Sequence, residues 1–164
     1  MDRAELRRAE PRDRERLLEW ANDPVTRAVS FHTEPISSSS HNAWFAASLA
    51  GARSLYIIEY NEESVGVARL EPIGQQRAEV SLTIAPNRRR RGIGTAALTA
   101  LIDTAAANGT EELVARIRST NEHSQRTFER AGFALVGEDE INGIHALIYT
   151  LRRNGAAARS GGKP

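Results

Sequence analysis

The spacing of apolar and polar residues divides the chain into short segments of two kinds. Alternating apolar positions predict seven strands, and apolar positions that recur every three or four residues predict four helices. The strands are predicted at residues 4–9, 54–60, 65–70, 77–84, 112–117, 133–137 and 144–151. The helices are predicted at residues 11–21, 38–49, 95–107 and 121–131. Residues 26–40 show little periodicity and are predicted to form a loop.

Short turns predict how these strands are connected. Turns at residues 61–64 and 72–76 predict that the three central strands form an antiparallel meander. The helix at residues 95–107 crosses over between two strands, which predicts that those strands lie parallel. The last two strands are predicted to form a hairpin around residues 139–142. The order of elements indicates one domain of the α/β (α+β) class.

A glycine-rich basic loop precedes the helix at residues 95–107. Gly92 and Gly94 allow the backbone to approach an anion closely, and the N–H groups that open the helix carry partial positive charge. Residues 88–91 are four arginines. The loop lacks the Gly-Lys-Ser/Thr ending of a Walker loop, and it lacks the acidic residue that follows a Rossmann fingerprint at about 20 residues. We therefore predict a pyrophosphate site of another type.

A second motif follows the strand at residues 112–117. Asn121 suits the N-terminal cap of a helix, Phe128 places an aromatic ring seven positions later, and Gly132 suits the end of the helix. This segment and the preceding Arg-x-x-Gly-x-Gly loop together resemble the GNAT superfamily of N-acetyltransferases. The order of elements resembles the GNAT fold over about residues 4–151.

The resemblance implies an acetyl-CoA-dependent enzyme with a mixed central sheet of about seven strands and flanking helices. In this superfamily two parallel strands separate, the pantetheine arm lies between them, and the pyrophosphate lies on the glycine-rich loop. The cofactor-binding residues that the resemblance implies are Leu82, Thr83, Ile84, Arg89, Arg90, Arg91, Gly92, Ile93, Gly94, Thr95, Asn121 and Phe128.

Acetyl transfer from a thioester requires a neutral amine and polar donors for the developing oxyanion. The chain has no cysteine, which excludes a cysteine acyl-enzyme, so we predict direct attack by the amine in a ternary complex. Glu79 shares a strand face with Ser81 and Thr83 and is the predicted base; the alternative is an ordinary solvated carboxylate.

The proton donor to the leaving thiolate is less clearly marked. Many GNAT enzymes have a tyrosine where this chain has Phe128, which has no proton to give. Ser124, one turn earlier on the same helix, is the predicted donor. Water is an alternative donor, and the thiolate can also leave without protonation because its pKa is only about 8.5–10.

The N-terminal half resembles the GNAT enzymes of pseudaminic-acid biosynthesis over residues 17–45, with Ala21 in place of an arginine. That resemblance implies a nucleotide-linked amino sugar as acceptor, bound by Arg27, Phe31, His41 and Trp44. Core packing is an equal alternative for Trp44. Other acceptors that remain open are a protein N-terminus, a polyamine and an antibiotic amine. A non-catalytic acyl-CoA sensor is a further alternative, because Phe128 replaces the tyrosine.

Composition and charge limit the partners and the location that we expect for this protein. The 164 residues are 40% hydrophobic and 26% charged, with a net charge of +1. Positive charge is concentrated in residues 88–91 and in residues 152–164, which we predict to be a disordered basic tail after a domain at residues 1–151. We therefore expect no nucleic-acid partner, no membrane span, no metal and a cytoplasmic location. A monomer and a homodimer both remain open.

Overall fold

The structure is a computed structural model that describes residues 3–153. It contains one seven-stranded mixed sheet with the strand order β1-β2-β3-β4-β5-β7-β6. The strands are β1 Ala4–Arg8, β2 Ser54–Tyr60, β3 Glu63–Gly74, β4 Arg77–Ile84, β5 Glu112–Arg118, β6 Ala134–Ile141 and β7 Ile144–Arg152. The helices are α1 Arg14–Ala21, α2 Pro24–Val29, α3 Ser38–Ala47, α4 Ile93–Ala107 and α5 Glu122–Arg130. The predicted α/β fold with about seven strands is confirmed.

Strands β4 and β5 are parallel, as predicted, but they pair over a short distance only. Their register joins Arg77 to Glu112, Ala78 to Leu113 and Glu79 to Val114. Beyond Glu79 the two strands separate, whereas β3 stays paired with β4 as far as Ile84. The centre of the sheet is therefore open on one side of the last residues of β4.

Two apolar clusters cover opposite faces of the sheet. Helices α4 and α5 pack on one face, where Leu98, Leu101 and Phe128 meet inward residues of the central strands. Helices α1 and α3 pack on the other face, where Leu17 and Phe45 meet residues of β2. Burial of these apolar side chains is the main stabilising contribution to the fold.

The second face is covered unevenly because α1 and α3 lie over β2 and β3 rather than over β5 to β7. On β4 this face carries Glu79, Ser81 and Thr83, whose neighbours Ala78 and Val80 point to the other cluster. On β5 it carries Arg116 and Arg118. Polar side chains therefore collect on the part of this face that begins at β4.

A buried carboxylate fixes the start of α1 to the sheet. Asp13 is 2% exposed, and both of its oxygens accept hydrogen bonds from the Arg7 guanidinium at 2.8 and 2.9 Å. Arg7 also donates to Glu59 on β2 at 2.7 Å. The hydrogen bond from Arg7 holds the pKa of Asp13 below its usual value. Since a buried charge is tolerated only when paired, this network sets the position of α1 over the sheet.

Three local predictions are wrong. Residues 26–40 are not entirely a loop, because Asp23 accepts from the Thr26 N–H at 3.1 Å and caps α2, with Pro24 in its first turn. The predicted turn at 72–76 is shorter, because β3 continues to Gly74 through a bulge and only residues 75–76 turn. The last hairpin turns at Asn142 and Gly143, both of which have positive φ, rather than around 139–142.

The basic tail was predicted to begin at residue 152, but Arg152 is the last residue of β7. Residues 154–164 lie outside the described residues. Within residues 3–153, no helix has both the length and the apolar character needed to cross a membrane.

Candidate active site

The gap between β4 and β5 is lined by backbone that has no strand partner on that side. The pairing with β5 stops at Glu79, so Leu82, Thr83 and Ile84 present their free edge to the gap. An extended ligand with amide groups can pair with such an edge as an added strand would. This is the location that the resemblance implies for the pantetheine arm.

Gly66 allows β3 to lie close to this edge. A Cβ atom on Gly66 would meet the carbonyl oxygen of Thr83 well inside van der Waals contact, and it would lie 3.2 Å from Cα of Ile84. The position therefore admits only glycine without moving the end of β4. Sequence analysis missed Gly66, because a glycine within a strand does not reveal which backbone lies against it.

The glycine-rich loop has the backbone of an anion cradle. Gly92 has φ of +74° immediately before α4, a conformation that favours glycine. Gly94 lies in the first turn, and a Cβ there would be 3.9 Å from Ile84 Cγ1 and from Thr127 Cγ2. Ile93 is 2% exposed and anchors the turn in the core, so its N–H is the group it can offer to a ligand. The first N–H groups of the 15-residue helix α4 suit the pyrophosphate of CoA.

The four arginines of this loop have different roles. Arg88 forms an ion pair with Glu63 on β3. Arg89 donates to the Ile84 carbonyl at 3.2 Å and from Nη2 to Asp23 and Thr26 at 3.0 and 2.8 Å. Arg90 and Arg91 are exposed and pair with no other described residue. The Arg89 side chain thus links the loop to α2, and its expected contact with pyrophosphate stays a prediction, as does that of the exposed Arg90 and Arg91.

Helix α5 begins as the sequence predicts. The Asn121 side chain accepts from the Ser124 N–H at 3.3 Å and caps the helix. Ser124 is half-buried in the first turn, so its hydroxyl remains a candidate proton donor. Phe128 is 5% exposed and packs edge-on against Phe133 with ring centroids 5.0 Å apart. Its ring belongs to the core, and its expected contact with the cofactor stays a prediction.

Glu79 lies at the point where the gap opens. It is the last residue of β4 that pairs with β5, and its side chain is 22% exposed. Arg116 on β5 approaches it with Nε 3.7 Å from Oε2, and Nη1 of the same arginine is 3.9 Å from Asp139 on β6. A carboxylate at this place can accept a proton from an amine that attacks a group held in the gap.

The segment between α2 and α3 is held above this face by side chains from distant parts of the chain. Asn22 makes two hydrogen bonds to the backbone of Ile36, at 2.9 and 2.8 Å. Arg118 on β5 donates to the carbonyls of Ala28 and Ser30, and Asn142 donates to the Phe31 carbonyl at 3.0 Å. These partners are 14 to 111 positions apart in the sequence, so no local pattern could have revealed them.

Two of the four predicted acceptor residues make hydrogen bonds to backbone carbonyls. Arg27 donates to the carbonyls of Ala21 and His32 at 2.6 and 2.5 Å, and burial lowers its pKa below the usual range. His41 is 4% exposed, and its Nε2 is 2.9 Å from the carbonyl oxygen of Arg14. Both groups therefore hydrogen-bond to the protein backbone, and their expected contacts with a nucleotide diphosphate stay a prediction.

The other two predicted acceptor residues are partly exposed. Phe31 is half-buried in the segment that Asn142 holds. Trp44 is also half-buried, and the Arg53 guanidinium lies 5.3 Å from its ring centroid. Their contact with an acceptor stays a prediction.

The sequence model of the acetyltransferase (GNAT) domain matches residues 3–134, and the chain belongs to this family of acetyl-CoA-dependent N-acetyltransferases. Acetyl-CoA is therefore its cosubstrate. The matched residues run from β1 to the end of α5 and the first residue of β6. They include the gap and the glycine-rich loop, and leave out only the last hairpin.

The chain resembles acetyltransferases of small molecules. YwnH of Bacillus subtilis (strain 168), named for phosphinothricin acetyltransferase activity, is 32% identical over 138 residues, which are 79% of this chain and 83% of YwnH. The L-methionine sulfoximine/L-methionine sulfone acetyltransferase of Pseudomonas paraeruginosa (strain DSM 24068 / PA7) is 30% identical over 145 residues, 82% and 83% of the two chains. The yncA structure from Salmonella typhimurium, with its cofactor acetyl-CoA, superposes with a TM-score of 0.76 at 22% identity and covers 91% of this chain and 93% of its own.

Proposed function

We propose that this enzyme acetylates the amino group of a small amino-acid-like acceptor by direct attack within a ternary complex. The observation that carries the proposal is the position of Glu79. This carboxylate lies on the open face of the sheet at the residue where β4 and β5 part, and the glycine-rich loop follows the end of β4 at Ile84. A base beside the gap is where an attacking amine would lose its proton.

The residues that would hold acetyl-CoA fit its chemistry. The free edge of Leu82, Thr83 and Ile84 offers backbone groups to the pantetheine amides, and the N–H groups at the start of α4 suit the pyrophosphate. Bound in this way, the cosubstrate supplies an activated acetyl thioester in the gap. Exposed Arg90 and Arg91 add positive charge beside the pyrophosphate site.

Glu79 receives the proton in the proposed reaction. The amine nitrogen forms a bond to the thioester carbonyl carbon, the carbon–sulfur bond breaks, and the amine proton passes to Glu79 directly or through a water. Ser124 or water gives a proton to the departing thiolate. The products are the N-acetylated acceptor and CoA, so the step needs no further reactant.

The acceptor class follows the two relatives at 30% identity or above, whose names specify phosphinothricin and the sulfoximine and sulfone of methionine. A nucleotide-linked amino sugar is the competing acceptor. This acceptor is less favoured, because the Arg27 and His41 side chains already make hydrogen bonds to backbone carbonyls. Half-buried Phe31 and Trp44 remain available to either acceptor.

The test is thiol release from acetyl-CoA with a panel of amines. The panel contains phosphinothricin, L-methionine sulfone, spermidine, an aminoglycoside and a UDP-linked 4-amino sugar, with an acceptor-free reaction as baseline. We expect release with the first two, and double-reciprocal plots that intersect. Parallel plots, or an acetylated protein trapped without acceptor, would contradict direct attack. Binding of acetyl-CoA without release for any amine would instead support a sensor.

A further inference from the structure

Three arginines have Nε atoms that are buried without a hydrogen-bond partner among residues 3–153: Arg53 just before β2, Arg69 on β3 and Arg118 on β5. Arg118 uses Nη1 on the carbonyls of Ala28 and Ser30. Arg53 uses Nη1 on Ser48 Oγ at 2.7 Å and on the Trp44 carbonyl at 3.4 Å. These two arginines are thus held by the protein through other nitrogens.

Arg69 differs from the other two, because none of its guanidinium nitrogens donates a hydrogen bond to a residue that the structure describes. Among residues 3–153 its ion-pair partner is Glu71, at 3.8 Å from Nη1, and Glu71 also pairs with Arg53 at 3.7 Å. One carboxylate therefore faces two guanidinium groups, and this corner carries a surplus of one positive charge. Leaving a buried donor without a partner costs free energy, so such a group is suited to a ligand.

The strand register places Arg69 next to the proposed base. On β3 and β4, Glu71 pairs with Glu79 and Arg69 pairs with Ser81, and all four side chains are on the same face. Arg69 is therefore a diagonal neighbour of Glu79 across two strands, a separation of about 7–8 Å in such a pair. This distance suits a small molecule that spans the two side chains.

Glu79 itself belongs to a corner with the opposite surplus. Arg116 is the single arginine between two carboxylates, Glu79 at 3.7 Å and Asp139 at 3.9 Å. The face thus presents one excess negative charge at Glu79 and one excess positive charge at Arg69. An α-amino acid, with an ammonium group and a carboxylate on one carbon, matches this pair of charges.

We propose that Arg69 binds the carboxylate of the acceptor and so directs its amine to Glu79. This inference rests on the proposed function, and it assigns the acceptor an acidic group adjacent to its amine. Arg69 acts as a specificity-determining residue, and Arg53 positions it by sharing Glu71. A guanidinium can hold a carboxylate through two parallel N–H donors, which fixes orientation as well as affinity.

The experiment compares L-methionine sulfone with its carboxamide, which keeps the amine and the side chain but removes the negative charge. Wild-type enzyme should prefer the acid by at least tenfold in kcat/KM. Arg69→Gln should raise KM for the acid by about tenfold or more and leave the carboxamide nearly unchanged, so that the preference disappears. Arg69→Lys keeps the positive charge but loses the planar pair of N–H donors, so it should retain part of the preference for the acid.

Arg77→Gln is the matched control. Arg77 lies on β4, two residues before Glu79, and pairs with Glu112 at 3.4 Å. This variant also removes one positive charge from a strand position near Glu79, and it should keep the preference for the acid. Thermal melting of every variant would show whether it folds.

The outcomes separate the two hypotheses. If no amine is acetylated by the wild type, the proposed function fails. If the wild type acetylates the acid and the carboxamide equally well, or if Arg69→Gln slows both by the same factor, the enzyme acts as proposed but Arg69 does not read a carboxylate.

Discussion

The two halves of the site are built by different means. The proposed cofactor half consists of backbone from one continuous stretch, residues 82–95, and depends on where β4 leaves β5 and on the turn at Gly92. The acceptor half consists of side chains from separate segments, such as Arg118, which reaches Ala28 and Ser30, and Asn142, which reaches Phe31. A backbone site tolerates changes of side chain, whereas a side-chain site changes with each substitution. The first can therefore persist in a family while the second alters the acceptor.

One residue belongs to both halves. Arg89 starts from the cofactor loop, donates to the Ile84 carbonyl at the end of β4, and extends to Asp23 and Thr26 at the start of α2. The segment that covers the acceptor face is thus fixed to the loop that would hold CoA. Substitutions on either side show how far the two halves are independent.

The largest expected effect is a fall in the rate of the chemical step with no change in cofactor binding. Glu79→Gln keeps the size of the side chain and removes its basicity, so kcat should fall by about 10²-fold. Acetyl-CoA affinity should stay within about twofold, because the cofactor is expected on backbone further along β4. Calorimetric titration and a pH–rate profile with a true acceptor measure both. A variant with the wild-type rate and the same acidic limb would show that solvent takes the proton.

The second effect should be confined to the cofactor half. Gly94→Ala places a methyl group where the pyrophosphate would approach the start of α4, and the fold has room for it, with the nearest atoms at 3.9 Å. We expect acetyl-CoA affinity to fall about tenfold, or about 1.4 kcal/mol. The melting temperature should stay close to that of the wild type.

Gly92→Ala provides the contrast to this variant. Its φ of +74° adds backbone strain for any side chain, so stability should fall together with affinity. Wild-type acetyl-CoA affinity in the Gly94→Ala protein would remove the loop from the cofactor site.

The sequence predicted the loop and the start of α5 well because their signals are local. The positive φ of Gly92 favours glycine and the helix cap favours the Asn121 side chain, so both can be recognised within a few neighbours. Arg89 shows where this reasoning ends. Its position in the motif suggests an anion ligand, but its side chain turns to Asp23, 66 positions earlier, and only tertiary structure brings that carboxylate near.

The acceptor half could not be predicted to the same degree. His41 and Arg27 have the chemistry of ligand-binding groups, but their roles depend on whether a backbone carbonyl lies within reach, and the carbonyl that His41 meets, that of Arg14, is 27 positions away. Nothing in the sequence distinguishes Arg69 from the many other arginines of the chain. Its distinction is a buried Nε and a shared partner, and both are properties of packing.

A smaller effect should appear in the acceptor half alone. Asn22→Ala removes both hydrogen bonds to the Ile36 backbone, which hold the segment between α2 and α3. We expect the acceptor KM to rise about threefold to tenfold with little change in acetyl-CoA affinity. Asn108→Ala, an exposed amide at the end of α4, is the control and should change neither constant. An equal loss of acetyl-CoA affinity in Asn22→Ala would show that the halves are coupled.

The smallest effect tests that coupling through pH. Burial raises the pKa of Asp23, but hydrogen bonds from the Thr26 N–H and the Arg89 guanidinium outweigh it, so the pKa lies below its usual value. Because the folded-state pKa is depressed, the contribution of Asp23 to stability is complete above about pH 4 and is lost as the pH falls through the folded-state pKa. Asp23→Asn keeps an oxygen to cap α2 and removes only the charge that faces Arg89.

At pH 7 we expect the melting temperature of this variant to fall by about 2–4 °C, which corresponds to about 1 kcal/mol for a chain of this size. The difference from the wild type should shrink as the pH falls below 4, while Asp103→Asn, on the exposed side of α4, should show no difference at either pH. A difference that is the same at both pH values would mean that Asp23 stabilises the protein by capping α2. The ion pair with Arg89 would then not contribute to the link between the two halves.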